Sequence, residues 1–184
     1  MILAHNEIIS ERGKNRVVIE PFAEEFVGPN SYDVRLGDTL KMVVPNTIPN
    51  LMLFGRQEGV RYIDPREEQV AYELADTGGG WLLHPGELYL GSTIEAIGSD
   101  HYVPMLVGRS SIARMGLTVE LSAGLGDVGF KSQWTLEITC VLPILLTPGM
   151  RIAQVYFHKV SSNDCLYKGR YANQQGPTAS RYNQ

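Results

Sequence analysis

Residues Gly108–Arg114 read Gly-Arg-Ser-Ser-Ile-Ala-Arg, two guanidinium groups and two hydroxyls behind a glycine, directly after the apolar run Tyr102–Val107. A strand that turns here into a short helix presents unpaired backbone N–H groups and the positive end of the helix dipole. Small hydroxyl side chains let a phosphate approach closely, and flanking arginines balance its charge. Ser110 and Arg114 are four apart, so on a helix they share a face and can meet the same ligand.

Three other stretches carry chemistry-bearing residues. Gln133–Cys140 alternates as a strand, with Trp134, Leu136, Ile138 and Cys140 on one face and Thr135, Glu137 and Thr139 on the other. A lone carboxylate between two threonines suits a general base, although the pattern by itself favours a solvent-facing glutamate. In Ser122–Phe130, Gly124, Gly126 and Gly129 surround Asp127. That loop has room for a flat or sugar-like ligand, and Asp127 could accept from a ribose hydroxyl, but a Gly-Asp turn between two strands explains it equally. Toward the C-terminus, Tyr167, Arg170 and Gln174 mix aromatic, cationic and amide groups that could close over a nucleotide.

The elements that must position these groups are mostly strands. A short amphipathic helix over Asn6–Arg12, stopped by Gly13, is followed by strand-like runs at 16–20, 31–36, 88–95, 102–107, 117–121, 133–140, 143–147 and 150–158, divided by Gly or Pro. Short strands in such number indicate an all-β sandwich, barrel or jelly roll. Residues 55–80 are charged and end in Gly78-Gly79-Gly80, which predicts a surface excursion of loop. Residues 161–184 are polar without an apolar period, and composition alone predicts a disordered tail.

Length and composition bound the function. The 184 residues fit one domain with a sizeable core. A net charge of −4 argues against a broad nucleic-acid footprint, which needs a basic face, but leaves room for a local arginine pocket. No run is long enough to span a bilayer. Met1–Glu7 lacks a basic start and apolar core, so no secretory leader is expected and the chain reads as cytoplasmic. The only cysteines, Cys140 and Cys165, form no CxxC pair, and the four histidines form no HExxH, so a zinc site is not expected.

Taken in order along the chain, the motifs resemble the dCTP deaminases of the trimeric dUTPase superfamily. The series runs Val18-Ile19-Glu20-Pro21-Phe22, Asn30–Gly37, Leu83-His84-Pro85-Gly86-Glu87, Leu90–Glu95, Gly108–Leu117, Ser122-Ala123-Gly124 with Asp127 and Gly129-Phe130, Thr135-Leu136-Glu137, Pro148–Gln154, and Tyr171 through Arg181. Coverage is nearly end to end. The resemblance implies an all-β fold, a distorted β-barrel or jelly roll of the dUTPase-like type with a few short helices, forming a single domain over 1–184 whose segment 161–184 closes over the site. It also implies a homotrimer with active sites between subunits and a deoxynucleotide substrate of the dCTP/dUTP type.

The implied chemistry is deamination of dCTP to dUTP and ammonia without a protein-bound metal, with Mg²⁺ accompanying only the triphosphate and no zinc. The H-x-E with P-C-x-x-C signature of zinc deaminases is indeed lacking. By the resemblance Glu137 activates water, Ser110 and Arg114 hold that water and the developing charge, and Arg109, Ser110 and Ser111 cradle phosphate, with Ile112 and Ala113 continuing that binding segment. Asp127 contacts deoxyribose, Ala123, Thr135 and Leu136 form the base and sugar pocket, and Tyr167, Arg170 and Gln174 close from the tail. Some members continue to dUMP and pyrophosphate, which is the alternative expectation here. A dUTPase alone, or a non-catalytic nucleotide-binding regulator, are the remaining ones. The chain departs from the family in three places: Gly126-Asp127-Val128-Gly129 stands where Ile-Asp-Pro-Gly is usual, which predicts a looser loop; Lys131-Ser132 replaces a segment that usually ends in glycine; and Glu120 stands where histidine is common, beside the expected site.

Overall fold

In the computed structural model, which describes residues 1–53, 56–76 and 78–182, the chain folds as a β-rich domain around one hydrophobic core. The longest strands alternate as their sequences do. β8 (Tyr89–Gly98) and β11 (Lys131–Cys140) pair antiparallel, and β11 alternates exposed or half-buried with buried residues along its whole length. The other edge of β8 takes β3 (Lys41–Val43) near its start and β1 (Val18–Glu20) at its end. β10 (Leu117–Thr118) and β6 (Ala71–Glu73) complete this six-stranded sheet.

A second sheet sets β13 (Arg151–Lys159) between β2 (Tyr32–Arg35) and β9 (Tyr102–Gly108). The core draws Ile19, Ile97, Leu136 and Ile138 from the first sheet, and Tyr32, Val34, Leu106, Val155 and Phe157 from the second. Burying apolar faces against one another in this way is the main driving force for the fold. Between the sheets lies one ion pair: the Arg35 Nε donates to Glu95 at 2.7 Å, and the Arg35 backbone N–H donates to the other oxygen at 2.9 Å. Glu95 is fully buried, so removing Arg35 alone would strand a charge in the core.

The remaining elements sit around this sandwich. α1 (His5–Gly13) and α2 (Ser110–Ala113) are the two α-helices among the described residues, close to the expected positions, and a 3-10 turn of helix covers Glu24–Phe26. β7 (Trp81–Leu83) pairs with β12 (Ile144–Leu146). The segment read as loop between 55 and 80 is corrected: β4 (Asn46–Leu53) and β5 (Arg56–Tyr62) form an antiparallel hairpin, and β6 follows it. The strand expected over 117–121 is shorter, since pairing with β11 stops at Thr118. Among the described residues, no helix is long and apolar enough to cross a membrane.

Among its described residues the C-terminal segment has no regular secondary structure, yet it is not the free tail that composition predicts. Its backbone is tied to distant side chains. Gly176 donates to Gln133 Oε1 at 2.7 Å, Thr178 to Thr135 Oγ1 at 3.1 Å, and Ser180 to Gln69 Oε1 at 2.7 Å. Lys41 Nζ donates to the Pro177 carbonyl at 3.1 Å, and Pro177 is buried.

Candidate active site

The polar face of β11 builds the floor of the site. Across β8, Thr135 pairs with Ser92 and Glu137 with Leu90, and Leu90 pairs in turn with Lys41, so these groups stand in rows on one sheet face. Leu88, Leu90, Thr135 and Glu137 line a cavity of about 420 Å³. Glu137 is therefore half-buried at the pocket floor and is not the solvent-facing carboxylate that its strand pattern favours. Burial pushes its carboxyl above the usual range. Its own backbone N–H and that of Leu121 oppose the push, and the nearby charge of Glu120 adds to it.

One wall is the loop between β10 and β11. The sequence predicts that glycine at 126 and valine at 128 loosen it, and in the structure the loop is held by backbone hydrogen bonds. Gly124 accepts from Leu106 N–H at 2.8 Å, Gly126 donates to the Pro104 carbonyl at 2.8 Å, and Gly129 donates to Ser99 at 2.7 Å. Tyr167 N–H donates to the Val128 carbonyl at 2.8 Å, so the tail pins the loop as well. The missing bulk at 126 is supplied by Trp134: a Cβ on Gly126 would lie 2.5 Å from the indole and 2.8 Å from Pro104. A register shift between Gln133 and Thr135 accompanies this placement, and Trp134 lines the pocket as well as the core. Its indole N–H donates to the Ile97 carbonyl at 3.2 Å, which fixes the ring.

The tail forms a second wall. Tyr167 meets Phe130 edge to face at 5.7 Å, and Phe130 meets Trp134 the same way at 5.6 Å, an aromatic file along the cavity. Gln174 Nε2 donates to the Gln133 carbonyl at 2.8 Å. Leu125, Tyr171, Thr178, Ser180 and Gln69 complete the lining.

Of the residues singled out in the sequence, the structure brings Ala123, Asp127, Thr135, Glu137, Tyr167 and Gln174 to one pocket. It leaves the others outside. Leu136 points into the core on the opposite strand face. Arg170 turns away, its guanidinium donating to the Arg181 carbonyl. Ser110, Ser111, Ala113 and Arg114 are exposed on α2, Ile112 is buried beneath it, and none of the five lines the cavity. Arg109 is engaged elsewhere: its Nε lies 3.0 Å from Asp33, which also takes Arg151 at 3.3 Å. The expected anion-binding run and the expected base thus stand apart within one copy of the chain.

Sequence reasoning missed Gln69, Gln133 and Trp134. Gln69 lies in the segment read as loop, and Trp134 read as core alone. Gln133 gave no signal, since its partners are more than thirty residues away. Among the described residues, no three His, Cys, Asp or Glu side chains gather as a metal-binding group.

The fold and pocket define a β-sandwich domain with a cleft for a small ligand, floored by a carboxylate of raised proton affinity and walled by an aromatic tail. Comparison with known proteins assigns it more narrowly. The chain belongs to the dCTP deaminase-like family, whose profile matches residues 2–160. It is 40% identical over 185 residues to a dCTP deaminase, dUMP-forming, of Clostridium botulinum (strain Alaska E43 / Type E3), covering 96% of this chain and 93% of that one. A dCTP deaminase, dUMP-forming, of Hathewaya histolytica is 40% identical over 177 residues, covering 96% and 94%. The crystal structure of a 2'-deoxycytidine 5'-triphosphate deaminase from Agrobacterium tumefaciens shares the fold at 19% identity, with a TM-score of 0.61 over 86% of this chain and 48% of that one. The all-β, dUTPase-like architecture expected from the sequence is therefore the observed one.

Proposed function

We propose that the protein deaminates dCTP by direct attack of water and carries the product on to dUMP and pyrophosphate. The observation that carries this reading is the half-buried Glu137, its proton affinity raised, on the floor of a nucleoside-sized pocket beside Asp127. The names of the relatives favour dUMP, the alternative expectation, over release of dUTP.

In the first step Glu137 takes a proton from water as the oxygen bonds to C4 of cytosine. Glu137 delivers that proton to N3, then takes the proton of the new C4 hydroxyl and passes it to the amino nitrogen, so that the C4 carbonyl forms, the C4–N bond breaks and ammonia leaves. A carboxyl with raised proton affinity suits both halves of this transfer, because an ordinary carboxylate is a weak base at neutral pH. In the second step a water held by the Asp127 loop attacks the α-phosphorus and displaces pyrophosphate. Ala123, Thr135 and Gln174 orient the base and sugar, and Tyr167 closes over them.

Phosphate binding falls to Arg109, Ser110 and Ser111, with Ser110 and Arg114 facing the chemistry. Because these groups stand outside the pocket of their own chain, we assign them to the site of a neighbouring copy in a homotrimer. The exposed apolar side chains Met115, just after α2, Leu121, in the loop between β10 and β11, and Val141 and Leu142, just after β11, support an interface there. Leu136 acts from the core behind the pocket floor, and Arg170 acts through the tail. The triphosphate of the substrate would carry magnesium on its own oxygens, which would offset its charge.

Incubation of the purified protein with dCTP and magnesium, with ammonia, dUTP, dUMP and pyrophosphate resolved, tests this reading. Ammonia, dUMP and pyrophosphate in equal amounts are expected. Accumulation of dUTP would remove the second step. Binding without any ammonia would leave a nucleotide-binding protein in place of the deaminase.

A further inference from the structure

The motifs Asn30–Gly37, Gly108–Leu117 and Pro148–Gln154 meet on the second sheet, outside the pocket. Asp33 comes from β2, Arg151 opens β13, and Arg109 directly follows β9. Gln154 of β13 pairs with Asp33 on one side and with Val107 on the other, so Asp33 reaches across β13 to meet Arg109. Both carboxylate oxygens are used. Oδ1 lies 3.0 Å from Arg109 Nε, and Oδ2 accepts from Arg151 Nη1 at 3.3 Å. The two arginines are also tied to each other, Arg109 Nη1 donating to the Arg151 carbonyl at 3.3 Å. The Phe26 ring lies 5.7 Å from the Arg151 guanidinium and braces it.

This is a buttress that ends on Arg109. Its Nε and Nη1 are engaged, while among the described residues its Nη2 makes no hydrogen bond, and part of the side chain stays exposed. Arg151 offsets the Asp33 charge, so the trio keeps a net positive charge with the Arg109 guanidinium fixed in place. An unheld arginine loses rotamer freedom when it takes a ligand, and one already held does not.

We propose that Asp33 is a positioning residue for phosphate binding, holding the Arg109 guanidinium, with Arg151 as its second anchor, in the orientation that meets the triphosphate. The inference rests on the proposed assignment of Arg109 to the substrate phosphates. A planar guanidinium anchored at Nε presents its remaining N–H groups to a phosphate in a set geometry. The sign of the effect is diagnostic. The Asp33 charge by itself repels an anion, so Coulomb attraction alone makes binding tighter when that charge is removed. Positioning makes it weaker.

The test measures Kd by calorimetric titration for dCTP with magnesium and for deoxycytidine, in a Glu137→Gln background that stops deamination. A double-mutant cycle joins Asp33→Asn and Arg109→Ala. Asp33→Asn should weaken dCTP binding about tenfold and leave deoxycytidine binding unchanged, although it adds a positive charge. Arg109→Ala should weaken dCTP at least as much, and the double variant should be no weaker than Arg109→Ala alone. Equal or tighter dCTP binding in Asp33→Asn, or losses that add in the double variant, would overturn the proposal while leaving Arg109 a phosphate ligand. Equal weakening of dCTP and deoxycytidine would mark a structural role and overturn it too. Arg109→Ala without effect on dCTP would remove the assignment of Arg109 itself, and the proposal with it. Should Asp33→Asn not fold, the Arg109 Nε–H NMR signal of the ligand-free wild type, assigned through Arg109→Lys, decides. Slowed exchange with water supports the proposal, and exchange as fast as that of exposed arginines overturns it.

Discussion

Gly126→Ala adds one methyl group at the tightest point of the pocket wall. The new Cβ would stand 2.5 Å from two carbons of the Trp134 indole and 2.8 Å from Pro104. The backbone at 126 has no left-handed φ, so the penalty is steric and not conformational. Relief requires Trp134 to move, yet its indole N–H is tied to Ile97 and its ring meets Phe130. Overpacking of a built core typically costs about 1–3 kcal/mol, which for a chain of this size is a fall of about 2 to 12 °C in Tm. The displaced ring also crowds the cavity that Trp134 and Gly126 line together, so KM for the nucleotide should rise as stability falls. Differential scanning calorimetry and steady-state kinetics read the two effects. Trp134→Leu in the same chain should restore much of the lost Tm by removing the clash, a coupling that a double-mutant cycle isolates. A Gly126→Ala protein with wild-type Tm and KM would refute the packing account of this loop.

Other outcomes follow from the same geometry. Glu137→Gln should cut deamination by about 10²–10⁴-fold while nucleotide binding, read by calorimetric titration, is retained; turnover near the wild-type rate would remove Glu137 as the base. Gln133→Ala removes the acceptor of the Gly176 N–H, a loss of about 1 kcal/mol, so trypsin should cut severalfold faster at Arg170 and Arg181 with little change in Tm. Glu11 accepts from Arg16 at 2.6 Å, Tyr102 at 2.7 Å and Lys14 at 3.0 Å, and the Arg16 bond chiefly holds its carboxyl down to about 2. Its folded value lies below its ordinary one near 4.5, so its stabilisation is present above that pH and is lost as pH falls toward 2. Urea titrations between pH 6 and 2 should show a shallower acid loss in Glu11→Gln than in the wild type.

Periodicity made much of this legible. The alternation of Trp134, Leu136, Ile138 and Cys140 against Thr135, Glu137 and Thr139 is the burial pattern that β11 shows. What stayed hidden depends on contacts between residues far apart. The tail reads as disordered because its order comes from backbone N–H groups meeting Gln69, Gln133 and Thr135, and no apolar period marks such bonds. β5, the second strand of its hairpin, reads as loop because it is charged and bears no alternating apolar face. The Asp127 loop reads as loose because Gly126 shows no bulk, while the bulk comes from Trp134 eight residues on. Arg109 reads as a free phosphate ligand until Asp33, from another strand, is seen beside it.

Two attacks by water, one at carbon and one at phosphorus, are the core of the proposed function, and both leave an isotopic mark. Turnover of dCTP with magnesium in H₂¹⁸O, followed by mass spectrometry of the nucleotide and its fragments, reads them together. One ¹⁸O in the C4 carbonyl of uracil and one on the phosphate of dUMP is the predicted result. Product whose base carries no ¹⁸O, or cytosine nucleotide recovered with its amino group intact, would contradict it.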